Sequence, residues 1–185
     1  MFLNKEIALK RSLVVAFIAS AAMVALPCAS QAQMPFHLGV AGGGSLPMSD
    51  LSDGSNTGFN GTVTIGFSIP MIPVGLRIDG AYNRFGAKVG GGDRNVMSAT
   101  GNLMLKLPSI GISPYLIGGA GFYNSKVTPT GLGSSNSQSD FGWNAGAGIT
   151  LPLAIFQGFV EARYNKVTTD LGSMAFLPVT FGIMF

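Results

Sequence analysis

Apolar and polar residues alternate along much of the chain beyond residue 34. From 59 to 69, apolar side chains occupy mainly odd positions and polar ones even positions, as in Val63, Thr64 and Ile65. Successive side chains of a β-strand point to opposite faces, so this alternation predicts strands with one apolar and one polar face. The same alternation recurs over 74–82 and 97–107. Helical spacing is lacking beyond residue 34, and the predicted fold class is all-β.

Five further segments bring the number of predicted strands to eight: about 35–46, 114–125, 141–151, 158–167 and 176–185. Most run to roughly 9–11 residues, the length a tilted strand needs to cross a bilayer. Backbone groups in lipid must find partners within the protein, so strands that span a membrane close into a barrel. We therefore predict an eight-stranded antiparallel up-and-down transmembrane β-barrel.

The connections between these strands fall into two kinds. Three short ones contain an apolar residue followed by proline, at Leu107-Pro108 and equivalently at 69–70 and 151–152. Proline cannot donate to a strand ladder and belongs at strand ends, so these read as tight periplasmic turns. The others, at about 47–57, 86–95, 126–140 and 168–175, are longer and rich in Gly, Ser, Asn and Asp. We expect them outside the cell.

The N-terminus has the three-part layout of a secretory signal peptide. Lys5, Lys10 and Arg11 precede an apolar stretch from 13 to 26, which small residues around Ala32 follow. The apolar stretch is shorter than the 18 or so residues a spanning helix needs. We predict a cleaved signal over 1–32 and an outer-membrane β-barrel domain over 33–185.

Composition narrows the chemistry of the mature chain. Cleavage would remove three of the 11 basic and one of the 8 acidic side chains, so the net charge falls from +3 to +1. Such a balance gives no electrostatic footprint for nucleic acid. The only cysteine, Cys28, would leave with the signal, and His37 is the only histidine. We expect no metal site and no cofactor.

Aromatic residues share the parity of the apolar face near both ends of the predicted strands. Lipid interfaces select two such belts of aromatic side chains. A soluble barrel of the lipocalin type would instead turn its apolar face inward, and the belts favour the membrane. The predicted belts consist of Phe67, Tyr82, Tyr115, Tyr123, Phe141, Trp143 and Tyr164.

The C-terminus resembles the assembly signal of outer-membrane barrels, because the chain ends on an aromatic residue and places Val179, Phe181, Ile183 and Phe185 on one face. The runs 114–123 and 159–164 look like the fifth and seventh strands of the small OmpA/OmpX-like barrel superfamily. This resemblance implies the outer membrane of a Gram-negative bacterium. It also implies insertion by the outer-membrane assembly machinery with periplasmic chaperones, contact with outer-membrane lipids and lipopolysaccharide, and a monomer.

Charged residues fall on the polar face of three predicted strands. They are Arg77, Asp79, Lys106, Glu161 and Arg163, and His37 shares their face. The third and seventh strands lie opposite each other in a ring of eight, so their charges can meet across a narrow lumen. Since unpaired charges in a confined interior are costly, we interpret the set as an ion-paired plug rather than a gate.

The predicted function is therefore a non-enzymatic structural or surface-interaction barrel with a plugged lumen and no catalytic residues. A small channel or porin-like pore is the first alternative. The second alternative, a lipid-A-modifying outer-membrane enzyme, depends on His37. This histidine opens the first strand on the periplasmic side, away from the outer leaflet where such chemistry takes place.

Overall fold

The protein forms a closed antiparallel barrel of eight strands in which each strand pairs with its sequence neighbours and β1 pairs with β8. The computed structural model describes residues 36–68, 72–88, 93–128, 136–153, 155–169 and 172–185. The predicted fold class is thereby confirmed. The strands are β1 (Phe36–Met48), β2 (Gly58–Ser68), β3 (Val74–Phe85), β4 (Asp93–Lys106), β5 (Ser113–Thr128), β6 (Asn136–Leu153), β7 (Phe156–Thr169) and β8 (Gly172–Met184).

The barrel lies within a compact unit spanning Met34–Phe185. The predicted signal peptide, residues 1–32, lies outside the described residues. No helix in the described ranges is long and apolar enough to span a bilayer. We call the end of the barrel with the connections 69–73, 107–112 and 154–155 the turn end, and the opposite end the loop end.

Alternation along the strands separates an outer wall from a lumen, as the sequence pattern predicts. Outward-facing Val63 and Leu103 are each 60% exposed, whereas inward-facing Thr64 and Asn102 are 1% and 3% exposed. In β3, Ile78 lies outward between the buried Arg77 and Asp79. The wall is thus apolar and the lumen at this level is polar.

Several strands extend further toward the loop end than the sequence predicts. Within the connection expected over 126–140, the described residues 126–128 and 136–140 are strand, because β5 and β6 remain paired as far as Val127 and Asn136. The amide of Asn124 donates to the hydroxyls of Ser137 and Ser139 across this hairpin. A composition typical of loops therefore forms an ordered ladder, since polar side chains can pair across strands as well as contact water.

The connection between β1 and β2 contains a short helix, α1 (Asp50–Gly54). The backbone N–H of Ser55 donates to the carbonyl of Leu51, and the Leu51 side chain is buried. A helix of five residues is too short to leave a recognisable period in the sequence. Leu51 ties this connection to the interior of the barrel.

The lumen near the loop end is apolar, which corrects the expectation of a polar inner face throughout. Most of the residues concerned lie beyond or at the margins of the predicted strands, where the alternation ends. They form one buried cluster, which we call the apolar cap: Leu51, Phe85, Val96, Tyr123, Val167, Met174 and Phe176.

Candidate functional site

Four charged side chains meet in the middle of the lumen and form what we call the ion ring: Arg77, Asp79, Glu161 and Arg163. The guanidinium of Arg77 donates from Nη2 to both carboxylate oxygens of Glu161, at 2.7 and 2.9 Å. Arg163 Nη1 donates to Asp79 Oδ2 at 2.8 Å. Each arginine also pairs with the acid on its own strand, Arg77 with Asp79 and Arg163 with Glu161. The two acids and two arginines therefore close a cycle across the barrel.

The barrel's geometry explains why these four residues meet. β3 and β7 stand opposite each other in the ring of eight strands, and residues two apart on a strand share a face. The lumen of an eight-stranded barrel is only wide enough for side chains. All four residues are at most 8% exposed, and their formal charges sum to zero. Ions so deeply buried are stable only when each has close partners.

Neutral side chains from three further strands complete the hydrogen bonding of the ring. Thr64 Oγ1 and Asn102 Nδ2 donate to Asp79, and Tyr115 Oη donates to Glu161 Oε2 at 2.8 Å. The guanidinium of Arg77 lies 5.7 Å from the centroid of the Phe159 ring. Five of the eight strands thus contribute to one polar network that crosses the lumen.

Tyr115 and Tyr123 do not belong to the aromatic belts, and their predicted place on the lipid face is wrong. Both lie in the lumen at 1% exposure, whereas Leu116 and Phe122 of the same strand face outward. The error has a physical reason. β5 carries apolar or small residues on both faces between 114 and 123, so alternation cannot tell inside from outside there.

The remaining predicted belt residues lie on the outer wall. Trp143 contacts Tyr164 with ring centroids 5.7 Å apart, and Tyr82 contacts Phe59. Phe67 and Phe141 are exposed. The residues of the predicted assembly signal also face outward, fully or in part: Val179, Phe181, Ile183 and Phe185.

Lys106 and His37 face the lumen but do not join the ion ring. Both are only half-buried, near the turn end, and no ion pair between the described residues includes either one. His37 lies within electrostatic reach of Lys106. The predicted charged cluster therefore divides into a closed ring of four residues and a separate basic pair at the turn end.

Glycines make room for the large rings inside the barrel. Gly148 pairs with Tyr115 across β5 and β6, and a Cβ built there would lie 2.5 Å from the tyrosine ring. Gly182 stands in the same relation to Phe159, with a Cβ distance of 2.4 Å. Real Cβ atoms do not approach so closely, so only glycine fits at these two positions. The two glycines leave the space that the side chains of Tyr115 and Phe159 occupy beside the ion ring.

A small polar cavity lies between the ion ring and the apolar cap. Its volume is about 30 Å³, and Asn60, Asn83 and Asn165 are among the residues that line it. The amide of Asn60 donates to Asn83 Oδ1 at 2.7 Å. A cavity of this size holds about two water molecules. Within the described ranges, no group of three or more His, Cys, Asp or Glu side chains is arranged to hold a metal ion.

The sequence does not identify the three asparagines that line this cavity, or the apolar cap, as parts of the site. The inward parity of Asn60, Asn83 and Asn165 was visible, but nothing in their spacing shows that they meet. The cap is assembled from extended strand ends and from α1, so no single stretch of sequence signals it.

Comparisons with known proteins agree with this architecture. The family model for the outer membrane protein beta-barrel domain matches residues 15–185. Neisserial surface protein A superposes with a TM-score of 0.67 at 18% identity, over 81% of this chain and 96% of that one. Ail, the attachment invasion locus protein of Yersinia pestis, gives 0.53 at 20% identity, over 81% and 97%.

The outer membrane enzyme PagL gives a TM-score of 0.53 at 13% identity, over 80% of this chain and 98% of that one. No curated protein matches the sequence significantly. At such identities the structural likenesses concern the fold alone, on which very different functions occur.

Proposed function

Because this chain belongs to the outer membrane protein beta-barrel domain family, we propose that it is a closed, non-enzymatic barrel in the outer membrane of a Gram-negative bacterium. Its role is structural or consists of interactions at the cell surface. The residues 1–32 act as a cleaved signal peptide, and the domain 33–185 folds into the membrane as a monomer.

The observation that carries this proposal is the filling of the lumen. The ion ring joins opposite walls, and the cavity between the ring and the apolar cap has a volume of about 30 Å³. An ion with its hydration shell needs a continuous aqueous path, and a space for about two water molecules does not supply one. This filling supports a plug over a channel or porin-like pore.

The loop end supports a role at the surface. Pairing between β5 and β6 continues to Val127 and Asn136, six residues beyond the last pair of β6 with β7 at Gly142. The described residues of this hairpin include the exposed Lys126, Ser137 and Ser139. In our proposal the loop end faces outward among lipopolysaccharide, while Val179, Phe181, Ile183 and Phe185 serve as the signal for the assembly machinery and its chaperones.

Planar-bilayer recordings test the closed lumen. The wild-type barrel is expected to give no conductance steps. The double variant Arg77→Ala/Glu161→Ala removes one acid and one base and leaves Arg163 paired with Asp79. Combined with Phe176→Ala, which opens the apolar cap, it is expected to conduct. A wild-type conductance equal to that of this triple variant would mean that the lumen is not closed.

Cysteine labelling of intact cells tests the orientation, because the mature chain has no cysteine of its own. A membrane-impermeant maleimide should label Ser137→Cys at the loop end. The matched variant Lys106→Cys, half-buried at the lumen mouth of the turn end, should stay unlabelled until the outer membrane is permeabilised. Labelling of Lys106→Cys alone would reverse the orientation.

The lipid-A-modifying enzyme remains the competing hypothesis, since PagL shares the fold. A site for lipid chemistry must be reached from the outer wall or the outer leaflet. His37 instead lies in the lumen near the turn end, away from the outer wall. We expect lipid A from overproducing cells to be unchanged in mass, and a new lipid A species that disappears in His37→Ala would overturn the non-enzymatic proposal.

A further inference from the structure

The turn end of the barrel exposes large apolar side chains at every connection. Ile110 is fully exposed at the tip of the turn between β4 and β5, and Ile155 is 88% exposed between β6 and β7. Ile72 is about half-exposed in the connection between β2 and β3. Apolar tips that faced water alone would be unfavourable, because each exposed side chain of this size forgoes about 1.5–3 kcal/mol of burial.

The three connections at the turn end also lack charged residues. The segments 69–73, 107–112 and 154–155 contain no Asp, Glu, Lys or Arg. The charged side chains that the structure shows as exposed lie at the loop end instead: Arg84, Lys88 and Lys126. Lys106 is near the turn end but points into the lumen. Turns that protrude into an aqueous compartment are usually polar, so the two ends of this barrel face different surroundings.

The apolar surface continues between the turns. On either side of the seam between β8 and β1, Phe185 contacts Phe156 of β7 and Phe36 contacts Phe67 of β2, with ring centroids 6.4 and 5.4 Å apart. These rings fill the part of the rim that has no turn. A single protein partner would cover one side of the rim, whereas this surface surrounds the barrel and is continuous with its lipid-facing wall.

The height of the wall agrees with a lipid environment for the turns. Strands tilted by about 40° rise roughly 2.5 Å per residue along the membrane normal. Leu153 follows Trp143 by ten residues on β6, which corresponds to about 25 Å, the usual height of the apolar band of such barrels. The band that begins at Trp143 therefore ends only at the turn that carries Ile155.

We propose that the turn end is embedded in the bilayer, with the tips of its three turns inserted at the boundary between the headgroups and acyl chains of the inner leaflet. The occupant of the apolar rim is phospholipid. This inference rests on the membrane insertion proposed above. It assigns the isoleucine tips to the lipid contact surface, while the lumen mouth with Lys106 and His37 stays hydrated.

Single-tryptophan variants test this inference in vesicles of phosphatidylcholine with brominated acyl chains. Trp143 is the only tryptophan, so Trp143→Phe gives a silent background. In it, Ile110→Trp and Ile155→Trp report on two turns, Leu103→Trp on the wall, and Ser137→Trp on the loop end. We expect both turn variants to lose emission to the brominated lipid and resist acrylamide, like Leu103→Trp, whereas Ser137→Trp shows the reverse.

The outcomes separate this inference from the function beneath it. If Leu103→Trp is quenched by lipid but both turn variants are quenched by acrylamide, the turns lie in water and the inference is wrong, while membrane insertion stands. If Leu103→Trp also behaves like Ser137→Trp, insertion itself is wrong. Lipid quenching of the turn variants that falls as the protein-to-lipid ratio rises would show that a second copy, and not phospholipid, covers the rim.

Discussion

The ion ring and the apolar cap occupy one lumen, face inward from overlapping sets of strands, and exclude water by different means. The ring consists of four charged side chains held by directional hydrogen bonds across the barrel. The cap consists of aromatic and aliphatic side chains, with Phe176 packed edge-on against Phe85 and Tyr123 at centroid distances of 5.7 and 6.3 Å.

The difference lies in how each region responds to the loss of one member. Removal of one charge from the ring leaves the opposite charges buried without a partner, which is strongly unfavourable. Removal of one aromatic side chain from the apolar cap leaves a cavity whose effect stays local. The ion ring is therefore the more cooperative of the two, and the variants below measure that contrast, starting with the largest expected effect.

Glu161→Ala should have the largest effect. It leaves Arg77 and Arg163 with Asp79 as the sole acid of the ring, so we expect the free energy of unfolding to fall by about 3–5 kcal/mol. Reversible urea unfolding in detergent micelles or lipid vesicles measures this change.

Arg84→Ala is the matched control for that variant, because Arg84 pairs with Asp93 at 2.9 Å on the surface, with half of its side chain exposed. Exposed pairs contribute little to stability, because solvent and salt screen their charges. Equal losses in Glu161→Ala and Arg84→Ala would show that burial gives the ion ring no special weight.

Phe176→Ala should rank second, with a loss of about 3 kcal/mol in the free energy of unfolding. This loss lies at the low end of the range for such substitutions because the cap lies near the loop end, where water can enter the new space. The ion ring is unaltered in this variant, so its bilayer recordings should stay silent. Conductance in Phe176→Ala would mean that the cap, and not the ring, closes the lumen.

Much of this architecture could be predicted from alternation alone. The number of strands and the face on which Arg77, Asp79, Glu161 and Arg163 lie follow from period-two patterns, and the turns follow from the proline that ends a strand. The meeting of β3 with β7 follows from the count, because an even ring of eight strands fixes which strands stand opposite.

The apolar cap and the face of β5 that points into the lumen could not be predicted, and the reason is the same for both. Alternation carries information only where the two faces differ in polarity. In β5 both faces are apolar or small, so Tyr115 and Tyr123 gave no sign that they point inward. The cap brings Phe85, Val96 and Phe176 together from the ends of different strands, where the inner face is apolar like the outer one.

Tyr115→Phe should rank third, and it tests the ion ring through a neutral side chain that contacts it. Its hydroxyl donates to the Glu161 carboxylate, and hydrogen bonds to charged groups contribute about 1.5–3 kcal/mol. We expect a loss of about 2 kcal/mol in urea unfolding. The aromatic ring of residue 115 stays in place above Gly148, so the loss in stability can be attributed to the missing hydrogen bond. No measurable change would mean that water takes over the role of the hydroxyl.

Tyr123→Phe should rank fourth among the lumen variants, and it is the counterpart of Tyr115→Phe on the same face of the same strand. Both tyrosines are 1% exposed, and both hydroxyls donate to one acceptor, but the acceptor of Tyr123 is the neutral amide oxygen of Asn165 at 3.0 Å. A neutral hydrogen bond contributes about 1 kcal/mol, roughly half the value for a charged acceptor. The aromatic contact with Phe176 is unchanged by the substitution, so the cap keeps its packing.

Urea unfolding of the two variants under identical conditions should therefore show Tyr115→Phe to be the more destabilised. The reverse order would show that burial depth, and not the charge of the acceptor, sets the strength of hydrogen bonds in this lumen, and the contrast between ring and cap would lose its electrostatic basis.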